Sequence, residues 1–133
     1  MKILIATLVA CGLAPVAYAP ATFHGDNARS GVYPTAGPAK FDGIKWTFKA
    51  SGPIVGSAAI TAGTVYFGDY GGHLHAIDQQ ADKEKLNFKF SMPIASSPAV
   101  TDKAVYFVSS AGALVALDFT TGKPLWVFVA GGC

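Results

Sequence analysis

The chain of 133 residues contains one stretch twice. Residues 44–83 laid over 84–123 agree at 17 of 40 positions without a gap, including Phe48, Pro53, Val65, Tyr66, Phe67, Gly72, Leu74, Ala76 and Asp78. A gapless register of that length cannot come from composition. It means that each copy builds the same supersecondary unit, which buries its apolar face against the next copy. The sharpest instance is residues 116–126: Ala116, Asp118 and Lys123 fall on Ala76, Asp78 and Lys83, while Trp126 falls on Leu86 and then on Trp46. Residues 124–133 open a third unit, with Gly132 standing where Gly52 stands.

Apolar alternation sets the local structure. Residues 44–49 alternate apolar and polar side chains, the pattern of a strand with one buried face. Four short strands are then expected in each unit. The first, at 54–60 and 94–100, is rich in Gly, Ser and Ala, which suits the place where backbones converge. The second carries the Val-Tyr-Phe triplet at 65–67 and 105–107, whose residues favour strands. Turns at 69–72 and 109–112 lead to 74–78 and 114–118, and a last strand runs over 86–90 and 126–128. Gly and Pro punctuate the chain and long helix-forming runs are missing. The expected class is all-β, and four antiparallel strands per forty residues is the build of a β-propeller blade. The expected fold is a partial propeller: two four-stranded antiparallel blades and an extra outer strand at 44–49.

Charge and the ends of the chain narrow the function classes. With a net charge of +2 and Lys and Arg scattered singly, the chain lacks the basic patch that phosphate binding needs, so no nucleic-acid partner is expected. Lys2 precedes an apolar run over 3–16 that is too short for a transmembrane span and suits a secretory signal peptide. Cleavage after Ala19-Pro20-Ala21 makes 1–21 the signal and starts the mature chain at Thr22; 22–43 then forms an irregular leader. Leu8-Val9-Ala10-Cys11 offers an alternative, a lipobox in which Cys11 takes the lipid anchor. Either route exports the chain to the periplasm, and lipidation would tether it to the outer membrane. After cleavage at Ala21 the only cysteine is Cys133, which allows no intramolecular disulfide.

The run A-x-D-x-x-T-G-K-x-x-W at Ala116, Asp118, Thr121, Gly122, Lys123 and Trp126 forms a structural docking motif. Asp118 closes a strand and accepts amides of the following turn, and Gly122 supplies a left-handed conformation. Trp126 projects its indole toward a neighbouring blade, where Ala116 leaves room for the ring. In the first copy Ala81, Asp82 and Leu86 replace Thr, Gly and Trp, so weaker docking is expected there. The motif resembles the tryptophan-docking motif of the pyrroloquinoline-quinone-type propeller repeat. That repeat is known from quinoprotein alcohol dehydrogenases and from the propeller lipoprotein of the outer-membrane β-barrel assembly machinery. The start of the leader, residues 23–34, is similar to the exported, non-enzymatic members.

The resemblance implies a non-catalytic exported scaffold or protein-binding module of the cell envelope, with envelope proteins or further propeller blades as partners. Enzymatic members resemble one another in a calcium site, an adjacent cysteine pair and a catalytic aspartate, and no segment here matches these. No catalytic residue, metal ligand or cofactor is therefore assigned. His73 and His75 would share one strand face and so reach one metal, but a third ligand is not evident, and Ala113 and Val115 replace them in the second copy. They read as ordinary surface or inter-blade histidines. Lys45, Lys49, Lys85 and Lys89 read as the solvated faces of outer strands.

Closed propellers have about four to eight blades. Two blades and a strand read as a truncated or partial member of a longer family. The alternatives are a fragment of a quinoprotein dehydrogenase and a self-assembling structural repeat in which several copies complete a ring.

Overall fold

The structure, a computed structural model, describes residues 30–31, 40 and 43–130. The signal segment 1–21 with Cys11, most of the leader 22–43, and residues 131–133 lie outside the described residues. Eight strands follow one another: β1 Ala59–Thr61, β2 Thr64–Gly68, β3 His73–Asp78, β4 Glu84–Lys89, β5 Ala99–Val100, β6 Ala104–Val108, β7 Ala113–Asp118 and β8 Pro124–Val129. They form two four-stranded antiparallel sheets, β1-β2-β3-β4 and β5-β6-β7-β8, each a simple meander. The fold is all-β, two blades of a partial propeller.

The repeat positions the side chains identically in the two sheets. Tyr66 pairs with Ala76 and Ala76 with Leu86; Tyr106 pairs with Ala116 and Ala116 with Trp126. Directly opposed residues point to the same face. Sheet 1 therefore carries Tyr66, Leu74, Ala76 and Phe88 on one face, and Val65, Phe67, His75 and Ile77 on the other. The first of these faces packs on Val105, Phe107, Val115 and Leu117 of sheet 2 in a single core. The Phe107 ring lies 6.2 Å from Phe88 and 5.8 Å from Phe90. Gly68 completes the fit, because a β-carbon there would collide with Ile94.

Two expectations need correction. The innermost strands are shorter than 54–60 and 94–100; the ladder covers only β1 and β5, with one isolated bridge between Ile94 and Ser109. Small residues bring the two backbones together here, so that a methyl on Gly56 would lie 2.7 Å from the Ser96 carbonyl. Pro98 has no N–H to donate, and hydroxyls take part of the ladder's work: Ser57 N donates to Ser97 Oγ at 2.9 Å and Val108 N to Ser96 Oγ at 2.8 Å. The second correction concerns 44–49, which joins neither sheet. Its alternation is real, with Trp46 and Phe48 half-buried and Lys45, Thr47 and Lys49 exposed. Side-chain packing on sheet 1, without a ladder, holds it.

Candidate functional site

The turn after β7 shows why the motif takes these residue types. Asp118 Oδ1 accepts from the Thr120 amide at 3.0 Å, the Thr121 amide at 2.7 Å and the Thr121 hydroxyl at 2.8 Å. Gly122, at φ 67°, turns the chain back, and Lys123 contributes its carbonyl to the Asp118 amide at 2.8 Å while its side chain stays exposed. The degraded first copy makes the same turn: Asp78 Oδ1 accepts from the Gln80 and Ala81 amides at 2.8 Å each, and Lys85 Nζ lies 2.8 Å from Oδ2. Asp82 holds the left-handed position at φ 50°, where a side chain is strained. Asp82→Gly, which copies the second unit, is expected to stabilise the chain by about 0.5–1 kcal/mol. A rise in the thermal midpoint checks it; an unchanged or lower midpoint counts against it.

Both turn carboxylates favour the ionised form. The Lys85 ammonium, then the Ala81 and Gln80 amides, hold Asp78 down at about 2. The Thr121 amide and hydroxyl, against a smaller opposing effect of desolvation and with help from the Thr120 amide, lower Asp118. A carboxylate whose folded value is depressed adds stability that is fully present above its unfolded value, 3.8. That stability is lost as pH falls from there through the folded value. The unfolding midpoint is therefore expected to drop between about pH 4 and pH 2, and Asp78→Asn is expected to flatten the drop.

Docking runs in one direction. Trp46 donates its Nε1 hydrogen to the Gln79 carbonyl at 3.0 Å, on the turn after β3. Forty residues on, Leu86 covers Gly122 on the turn after β7, so closely that a β-carbon on Gly122 would meet its Cδ1. Each outer-strand residue thus sits on the turn of the following blade. Trp126, forty residues further, meets no such turn among the described residues. Ala116 at its side is fully buried and the Tyr106 ring lies 6.0 Å away, but the indole remains 46% exposed. The expected docking of Trp126 on a neighbouring blade is not made here, because the sheet it would sit on is not among those described.

The turn between β2 and β3 anchors a buried network, although the sequence pattern marks Asp69 only as a turn residue. Asp69, with no exposed surface, accepts at Oδ2 from the Ser51 amide at 3.0 Å, the Ser51 hydroxyl at 2.7 Å and the Gly52 amide at 3.2 Å, and at Oδ1 from the His73 amide at 2.9 Å. His75, itself buried, places Nε2 at 3.2 Å from Asp69 Oδ2 and Nδ1 at 2.7 Å from Glu84 Oε1. Burial opposes ionisation of Asp69, but the His73 amide, the Ser51 hydroxyl, His75 and the Ser51 amide outweigh it and hold the carboxyl far below the usual range. The Asp69 carbonyl also takes the Ile94 amide at 3.0 Å, so one residue joins the 51–52 segment, sheet 1 and the lead-in to sheet 2. A signal was present: Asp69, His75 and Glu84 all become non-ionisable in the second copy, as Ser109, Val115 and Pro124.

His75 is therefore a buried link beside Phe48 rather than a surface residue; its ring lies 5.0 Å from Phe48 and is stacked with His73 at 5.7 Å. Among the described residues no three His, Cys, Asp or Glu side chains are placed to hold a metal ion. Lys45 reaches Gln80 Oε1 at 2.5 Å and Lys89 the Gly71 carbonyl, as solvated outer residues do. β8 departs from that pattern. Where the other outer segments have Lys45, Thr47 and Lys49, or Lys85, Asn87 and Lys89, it has Leu125, Val127 and Val129, exposed by 53%, 49% and 65%. With Trp126 and Phe128 on the other side, β8 is apolar on both faces, the mark of a contact surface.

Stacked four-stranded meanders, with the outer segment of one seated on a turn of the next through Trp46 or Leu86, define a protein of the PQQ-like β-propeller repeat class. The chain belongs to the family described as outer membrane protein assembly factor BamB, which it matches over residues 39–132. BamB from Moraxella catarrhalis has a similar structure, at TM-score 0.62 and 18% identity over 68% of this chain and 28% of that one. Quinohemoprotein alcohol dehydrogenase from Comamonas testosteroni is similar at TM-score 0.52 and 20% identity, over 58% of this chain and 13% of that one. A europium-containing methanol dehydrogenase follows at TM-score 0.50 and 22% identity, over 57% and 15%. The chain thus spans little more than a quarter of BamB. No curated protein sequence matches it. Among the described residues no helix is long and apolar enough to cross a membrane.

Proposed function

We propose that the chain is a non-catalytic, exported propeller module that serves as a scaffold or protein-binding platform in the bacterial cell envelope, contributing to outer-membrane protein assembly. The family match over residues 39–132 carries this reading. The two-faced apolar β8 supports it, since a strand of this kind is a surface for partners. In this reading 1–21 directs export to the periplasm, with lipid on Cys11 as the alternative, and 22–43 is a leader. Residues 44–133, as units 44–83 and 84–123 with a third begun at 124–133, present the binding surface. Cross-linking a tagged chain in intact envelopes tests it. Recovery with outer-membrane assembly proteins, and reduced outer-membrane protein levels when the chain is lost, are expected. A cytosolic location or an unchanged outer-membrane profile overturns it.

The likeness to two quinone-dependent dehydrogenases favours a second reading, a fragment of such an enzyme. The described residues do not fit a calcium site of the kind that holds a quinone. Of the described aspartates, only Asp69 is fully buried, and both its oxygens are taken by amides, a hydroxyl and an imidazole. Pyrroloquinoline quinone with calcium is expected to leave the thermal midpoint unchanged. A rise would support the enzyme reading.

A further inference from the structure

His75 is buried and meets a carboxylate oxygen at each ring nitrogen, Asp69 Oδ2 at 3.2 Å from Nε2 and Glu84 Oε1 at 2.7 Å from Nδ1. A neutral imidazole donates from one nitrogen only, so it serves one carboxylate and turns a lone pair toward the other. The Asp69 side decides which nitrogen must donate. That carboxylate has no exposed surface and already accepts three amides and a hydroxyl, so it is held as an anion with no proton to offer. Nε2 therefore carries a hydrogen. The 2.7 Å contact on the other side then needs a second hydrogen between Nδ1 and Oε1, at a separation typical of a charge-assisted bond. The cluster holds one proton more than two carboxylates and a neutral ring would.

We propose that His75 keeps this proton as an imidazolium, and that the charged ring is a proton-dependent clasp joining β3, the start of β4 and residues 51–52. Asp69 is the hub, because the oxygen that meets Nε2 also takes the Ser51 and Gly52 amides. A buried carboxylate needs a counter-charge, and His75 supplies it. When the proton leaves, Nδ1 and Oε1 become two acceptors facing each other and Asp69 loses its cation. Glu84, 31% exposed, can turn to water, whereas Asp69 cannot. The clasp therefore opens at Glu84, and the contacts to residues 51–52 weaken with it.

The groups around the ring come from four other places. The turn after β2 gives Asp69 and β4 gives Glu84; β2 presents Phe67 at 5.1 Å and the 44–49 segment Phe48 at 5.0 Å, both uncharged. Lys45 and Lys49 of that segment are exposed, Lys85 of β4 pairs with Asp78, and Lys89 reaches the Gly71 carbonyl. On the ring's own strand His73 stacks at 5.7 Å with Nδ1 on Asn87 Oδ1 at 2.7 Å, and when protonated it opposes the charge on His75. A blade does not need the clasp in order to fold. Ser109, Val115 and Pro124 stand at the places of Asp69, His75 and Glu84, and the second meander keeps the same register. The clasp lies wholly within residues 51–84 and is independent of the envelope role.

Two measurements on the chain beginning at Thr22, which keeps every described residue, test the proposal. Nitrogen-15 spectra of the His75 ring at about pH 7 are expected to show hydrogen on both nitrogens. A ring with one bare nitrogen overturns the proposal, and this readout needs no variant. The second is the urea midpoint from about pH 6 to about pH 9, compared with Glu84→Gln. Over that range the folded cluster binds a proton that the unfolded chain, with an ordinary imidazole at about 6.5, gives up. The folded state then holds more protons, so stability falls as pH rises. A glutamine amide donates to Nδ1 without any added proton, and Glu84→Gln should lose at least half of the fall. His73 titrates in both chains and cancels in the comparison. Amide exchange at Ser51 and Gly52 should lose protection over the same range in the wild type, beyond the intrinsic effect of pH on exchange, and hold it in the variant. Equal pH slopes for the two chains, or Ser51 and Gly52 protection that ignores pH, overturn the proposal.

Discussion

Asp69→Ala is expected to lower the urea midpoint of unfolding more than any other single polar substitution in the first sheet. The carboxylate has no exposed surface, and its loss strands three amides, a hydroxyl and an imidazole at once. Removing one partner of a buried charged network costs about 3–5 kcal/mol. Small domains have only about 5–15 kcal/mol in total. The effect should also spread beyond the turn, since Ser51 and Gly52 would release the 44–52 segment from sheet 1. Ser109→Ala is the control, because Ser109 sits at the same place in the second copy and its hydroxyl accepts one amide, from Ala113 at 3.2 Å. That change should cost about 1 kcal/mol. Equal midpoints for the two variants would show that the network does not hold the segment.

Phe107→Ala has the other large expected effect. The ring is 1% exposed, packs against Phe88 and Phe90, and belongs to the core that both sheets share. Deleting a buried phenylalanine costs about 3–5 kcal/mol through lost transfer energy and the cavity left behind. Because the cavity opens between the sheets, the two should lose stability together, in one transition. Phe128→Ala makes the contrast: the ring is 61% exposed and, at concentrations where the chain is monomeric, its loss should change stability by no more than about 0.5 kcal/mol. Denaturant unfolding read by circular dichroism, with the midpoint and slope compared, checks both. Two separate transitions in Phe107→Ala, with sheet 1 unaffected, would contradict a shared core.

Much of the fold was legible because a strand repeat writes itself into sequence with period two and the array with period forty. Val65-Tyr66-Phe67 and its copy at 105–107 announced β2 and β6, and Asp118 with Gly122 announced the turn that the structure builds. The inner strands were harder to delimit. Gly56, Ser57 and Pro98 carry no apolar alternation, and hydroxyls rather than ladder amides satisfy part of that backbone. The 44–49 segment showed a faultless strand pattern yet joins neither sheet, since alternation reports which side chains are buried and not which backbone edge is paired.

Local spacing alone determined that the chain builds four-stranded units, that they stack, and that a large apolar side chain from each is aimed at the next. Whether that side chain finds a surface was decided only by the tertiary arrangement. Trp46, Leu86 and Trp126 occupy the same place in the pattern, but one is hydrogen-bonded to Gln79, one covers Gly122 and one stands half in solvent. The same holds for Asp69, Ser51, His75 and Glu84, which are scattered over thirty-four positions of sequence and meet in one buried network. Burial and hydrogen-bond partners depend on what lies across space, and a one-dimensional pattern carries only the part of that information that recurs at a fixed interval.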